Sequence, residues 1–338
     1  MIRTLFAAAL TCLPMLAGAE EPDPLLPRVI DTHVLPRIDA LALESRDLAE
    51  AAEADCAPDA FALREAYHEA FDAWVKASHL RFGPTEEGDR AFALAFWPDS
   101  RGATPRTLGQ LIESRDPVAQ SADTYADMSI AARGFYALEY LLYDDTLMAA
   151  GDPDYRCMLV RTVTADIAQT AADIAADWHD GFRDTMLTPG PEARYRSGEE
   201  TVQELFKTLT AGLQFTSETR LGRPLGSFDR PRPTRAEARR SMRSARHVRL
   251  SLTSLRDLAL MLSAGNETLR TRFEEEFQTA LDRLDAADDP VFAGVADPQS
   301  RLRLEIVQQA IDAIRETAEQ DLGPSLGVAA GFNSLDGD

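Results

Sequence analysis

DAFALREAYHEAFDAWVKASH, residues 59–79, places an apolar side chain every three or four positions. Phe61, Leu63, Tyr67, Ala70, Phe71 and Trp74 share one face, while Glu65, Glu69, Asp72 and Lys76 fall largely opposite. Pro58 sits where a helix start tolerates it. From Val248 the series Leu252, Leu255, Ala259, Leu262 keeps the same spacing for four turns, the pattern of a helix packed lengthwise on its neighbours. Almost every other segment longer than ten residues repeats it, and none alternates as a strand does. Further helices are expected over about 25–54, 117–143, 153–180, 198–220, 266–285 and 299–320. The expected class is therefore all-α, with two packed up-and-down helical bundle halves.

The halves divide at the turn Pro189-Gly190-Pro191, giving an N-terminal half over 20–190 and a C-terminal half over 191–338, with no strong internal repeat between them. Residues 1–19 read as a signal peptide. Arg3 precedes an apolar run from Leu5 to Leu16, and Ala17-Gly18-Ala19 supplies the small residues for cleavage after Ala19. The run is too short to span a bilayer, so no membrane insertion is expected. Cys56 and Cys157 then remain in a chain bound for an oxidising compartment, the periplasm. They form either one disulfide or two buried thiols.

A net charge of −21 argues against nucleic acid and anionic membrane surfaces as partners. Hydrophobic residues make up 45% of the chain, enough for one large core or two modest ones. Two segments interrupt the helical pattern. One runs from Arg81 to Arg106 and contains Phe82-Gly83-Pro84 and Phe96-Trp97-Pro98-Asp99; long loops of this kind tend to carry function. The other, Leu221 to Pro233, is broken by Pro224, Pro231 and Pro233. Beyond it Arg235, Arg239, Arg240, Arg243, Arg246 and Arg249 would largely share one helical stripe, which either binds an anion or acidic partner or pairs with the surrounding Asp and Glu.

The most informative helix is GFYALEYLLY, residues 134–143. Gly134, Phe135, Leu138, Leu141 and Leu142 form a broad apolar face, with Tyr136, Glu139 and Tyr143 on the other side. Tyr136 and Glu139 are three apart and leave the helix together. A glutamate flanked by two tyrosines is an unusual solvated surface, so this face either lines a cleft or packs against a neighbour, with Glu139 accepting the tyrosine hydrogen bonds.

Gly134 to Glu139 resembles the GxHxxE motif of the imelysin family, with Tyr136 in place of the histidine. Trp74, Arg81-Phe82-Gly83-Pro84 and Phe96-Trp97-Pro98-Asp99 are similar to family features, and Glu237, Ser241 and Ser244 are similar to a glutamate and serine pattern of the second half. The resemblance spans about residues 27–320. It implies two helical halves with the motif near the cleft between them, an iron-related envelope role among other iron-uptake components, and an older assignment as a metallopeptidase. Motif and cleft positions carried over are Gly134, Tyr143, Trp97 and Asp99.

Tyr136 and Glu139 become the candidate metal pair, two hard oxygen donors better suited to Fe(III) than to zinc, so that iron is the implied cofactor. Asp99, Asp144, His68 and His79 are candidates to complete a site. No HExxH, HxxEH or GxSxG pattern occurs, so no catalytic residue is assigned, and the absence of CxxCH excludes covalent haem. The expected function is a non-catalytic binding or accessory role in iron uptake. The alternatives are a metallopeptidase of the family, or a scaffold that has lost its metal site.

Overall fold

The computed structural model describes residues 25–328, and the regular elements among them are helical. The expected signal peptide lies outside the described residues. Nine long helices carry the fold of the described residues. In the first half these are α1 (Leu35–Ala54), α2 (Phe61–Ala77), α3 (Ala103–Ser114), α4 (Gly134–Tyr143) and α5 (Pro153–Asp177). In the second they are α6 (Gly198–Gln214), α7 (Ser244–Leu262), α8 (Glu267–Ala287) and α9 (Pro298–Thr317).

Starts are set by local chemistry. The Asp152 and Asp297 side chains accept from the first free backbone N–H groups, each with a proline at the next position; Ser197 and Asn266 cap α6 and α8 in the same way. Four helices run on into π-helical turns or emerge from one. Ile30–Val34 leads into α1, and Trp178–Phe182, Phe215–Leu221 and Ala318–Leu322 extend α5, α6 and α9.

The amphipathic face read from residues 59–79 decides the packing. α1 lies lengthwise between α2 and α5, with α4 across α5. α8 packs on α7 and α9, α6 packs on α7 and α9, and α7 closes against α2. Tyr67, Phe71, Leu252 and Leu255 are fully buried in one core that runs through both groups of helices. Truncating a ring such as Phe71 to alanine would cost about 3–5 kcal/mol. Cys56 and Cys157 are joined, with Cα atoms 5.1 Å apart and 101 residues between them. The bridge ties the end of α1 to the first turn of α5.

Three expectations are corrected. The span 117–143 is not one helix. Short turns at Pro117–Gln120, Ala122–Tyr125 and Ile130–Ala132 precede α4, because Ser121, Ser129 and Arg133 adopt extended or other non-helical backbone. The segment 81–106 is not wholly irregular either, since it contains the short helix Arg90–Leu94 and the first residues of α3. Finally, 235–243 is a folded-back loop rather than helix; α7 begins at Ser244, so the arginines fan out instead of sharing a stripe.

Candidate functional site

α4 is fixed at its first residue. Gly134 has φ +75°, and a Cβ there would lie 2.1 Å from the Leu94 carbonyl oxygen and 2.3 Å from that of Ala93. Only glycine allows this backbone-to-backbone approach. It seats α4 on the end of the Arg90–Leu94 helix, which in turn leads into the loop bearing Trp97 and Asp99.

Tyr136 and Glu139 are buried, not on a solvated face, because residues 236–241 cover them. The Tyr136 hydroxyl donates to Glu237 Oε1. Glu237 Oε2 accepts from Arg220 Nε at 2.8 Å, and His247 Nδ1 lies 3.5 Å from the same oxygen. Glu139 Oε1 accepts from the Ser241 backbone N–H at 2.9 Å and from its hydroxyl at 2.8 Å. The Phe71 ring stacks on Phe135 at 4.9 Å and meets the edges of Tyr136 and His247 at 5.2 and 4.5 Å. Trp97 stacks on the far side of Tyr136 at 6.1 Å.

Burial alone would raise the Glu237 carboxyl, but the Arg220 guanidinium, His247 and the Tyr136 hydroxyl together outweigh it and hold the group down at about 2. Tyr136 goes the other way: burial, then the Glu237 carboxylate, push its phenol well above the usual range. Glu139 is raised by burial and only partly relieved by Ser241. At neutral pH the cluster is thus a protonated phenol, an ionised Glu237 and a buried cation.

The other candidates separate. Asp99 spends both oxygens on the first backbone N–H groups of α3, Ala103 at 2.9 Å and Thr104 at 2.8 Å. Asp144 caps the turn Asp145–Met148 and pairs with Arg240 at 2.9 Å. Tyr143 bonds His68 Nε2 at 2.8 Å, away from Glu237. His79 is held elsewhere, its Nε2 2.8 Å from that of His33. Trp97, Asp99, Tyr136 and Glu139 do converge on one pocket of about 110 Å³, whose wall also includes Arg223, Arg235 and Arg240.

The model of the imelysin family, peptidase M75, matches residues 34–320. The chain belongs to the imelysin family. Iron-regulated protein A of Synechococcus elongatus is 22% identical over 316 residues, covering 87% of this chain and 84% of that protein. An imelysin-like protein of Psychrobacter arcticum shares the fold with a TM-score of 0.77 at 20% identity, over 91% of this chain and 96% of the other. A Parabacteroides distasonis protein, described as an iron-regulated protein A precursor, superposes with a TM-score of 0.70 at 12% identity, over 87% and 94%.

In this imelysin-family chain the donors at the motif do not fit a resident metal ion. The Tyr136 phenol keeps its proton and gives its hydrogen bond to Glu237, and Glu237 is neutralised by Arg220. Among the described residues no group of three or more His, Cys, Asp or Glu side chains is placed to hold one. The sequence reading missed Arg220, Arg223 and the place of His247. Arg220 lies in the π-helical turn after α6, a geometry often found at functional positions, but nothing in its spacing announces that turn.

Proposed function

We propose that this imelysin-family chain is a non-catalytic binding protein of the bacterial periplasm that serves iron uptake, exported by a leader cleaved after Ala19. Two halves, 20–190 and 191–338, would meet at the motif, the first contributing Trp97, Tyr136 and Glu139 and the second Arg223, Glu237 and Ser241. The observation that carries the reading is the arrangement of the motif itself. The Tyr136 hydroxyl and Glu139 Oε1 are held in hydrogen bonds to the opposing loop, while a polar pocket stays open beside them. That suits retention of a ligand. It does not suit hydrolysis, which needs a metal-bound water or an activated nucleophile. The iron connection is supported by the names of relatives, iron-regulated protein A.

The test is growth. Cells of the source organism lacking the chain should match wild type in iron-replete medium and fall behind when iron is chelated, with recovery on re-expression. Equal growth under chelation would overturn the iron reading. Chelator-sensitive cleavage of a protein substrate by the purified chain would overturn the non-catalytic one.

A further inference from the structure

The pocket beside the motif gathers three arginines in an otherwise acidic protein, with Asp99 and Glu139 on the same wall. The whole chain carries a net charge of −21, yet the loop from Arg220 onward brings Arg223, Arg235 and Arg240 to one opening. Arg240 is accounted for by Asp144 and lies 3.7 Å over the Tyr140 ring. Arg223 and Arg235 are not. Arg223 reaches only the Ser100 hydroxyl at 3.1 Å and the face of Trp97 at 5.8 Å, and its Nε is buried with no acceptor. The exposed Arg235 side chain has no carboxylate partner among the described residues. Burial, and then the charge of Arg235, depress the Arg223 guanidinium below its usual value, as expected of two cations facing one cavity with no carboxylate paired to either among the described residues.

The remaining wall sets the shape of what fits. About 110 Å³ is far more than one water needs, and a small organic molecule can enter. Ser100, Thr104 and Thr234 offer hydroxyls on the wall. Glu139 engages the protein through one oxygen only, leaving Oε2 to accept from a ligand hydroxyl. Trp97 and Tyr140 give apolar sides for a short carbon chain.

We propose that this pocket binds a small hydroxypolycarboxylate, free or as its ferric complex, with carboxylates on Arg223 and Arg235 and the hydroxyl on Glu139. Planar guanidiniums suit carboxylates in paired hydrogen bonds. Ferric ion is carried in water by such ligands, so the ferric arm rests on the iron-uptake reading while the free-anion arm does not.

Calorimetry on the mature protein at low ionic strength tests it, with citrate, ferric citrate and inorganic phosphate as probes beside Arg235→Ala and Arg223→Ala. Citrate should bind near one equivalent, and each substitution should weaken it about tenfold or more, the loss of a charged hydrogen bond. Arg235 is exposed, so its variant should keep the wild-type circular dichroism and melting temperature. Ferric citrate binding at least as tightly as citrate, with the same sensitivity, supports the iron-loaded anion as cargo. Weaker binding of ferric citrate leaves the free acid as the ligand. No heat with citrate, citrate binding unchanged in both variants, or tighter binding of phosphate each overturns the proposal. A growth defect under chelation together with no citrate binding would leave the iron reading standing and remove this ligand alone.

Discussion

Two buried polar clusters lie where α7 and its neighbours meet the first group of helices, and the pairs at their centres use opposite chemistry. At one, His33 and His79 meet at 2.8 Å beside Arg37, which bonds Ser254 at 2.6 Å and Asp257 at 2.8 Å on α7. Burial, His79 and Arg37 keep His33 well below its usual range, and burial brings His79 to about 3, so the imidazoles share a proton without a charge. At the other, Tyr136, Glu237 and Arg220 form a charged line. A neutral pair loses little when one member goes. A buried ion pair loses much, because the partner left behind is an uncompensated charge.

The largest expected effect is therefore Glu237→Ala, which strands Arg220 and should lower the unfolding free energy by about 3–5 kcal/mol. Urea denaturation measures it, and a loss near zero would show that Arg220 finds water instead. Tyr136→Phe removes one donor from an ionised buried acceptor and should cost about 2 kcal/mol by the same measurement. His33→Leu leaves one imidazole nitrogen of His79 unpaired and should cost about 1 kcal/mol. If that variant proves worse than Tyr136→Phe, the contrast between the junctions collapses.

Acidification sharpens it. His79 binds a proton near 6.5 when unfolded but only near 3 when folded, so its contribution is complete above pH 6.5 and is lost as pH falls toward 3. Glu237, held at about 2 against an ordinary 4.5, contributes above pH 4.5 and fails only below it. Stability should thus begin to fall below pH 6.5, with His68, brought to about 4, adding to the slope. His33→Leu with His79→Leu should flatten the fall between pH 6.5 and 5 by up to about two protons. An unchanged slope would mean that the histidine junction opens before it titrates.

The helices were legible because their periods are long and regular. Residues 59–79, 153–180 and 248–262 each carry several turns of one apolar face, and the matching helices α2, α5 and α7 formed with small shifts at their ends. The site was legible only in part. Spacing placed Tyr136 and Glu139 together, but it could not show that residues 236–241, about a hundred positions on, would cover them and turn a polar face into a buried one. The arginine run failed for a related reason. Its three-four spacing persists across 235–249, yet Ala238 and Met242 take positive φ and Ser241 turns its backbone N–H to Glu139, so tertiary contact overrode the local period.

The contact at Gly134 has an evolutionary reading. Because α4 is indexed by bare backbone against the carbonyls of Ala93 and Leu94, the height and rotation of its side chains over the pocket do not depend on what those side chains are. An exchange at Tyr136 would alter the chemistry of the wall without moving the frame. The pocket can be refitted for a different guest one residue at a time, provided the glycine stays.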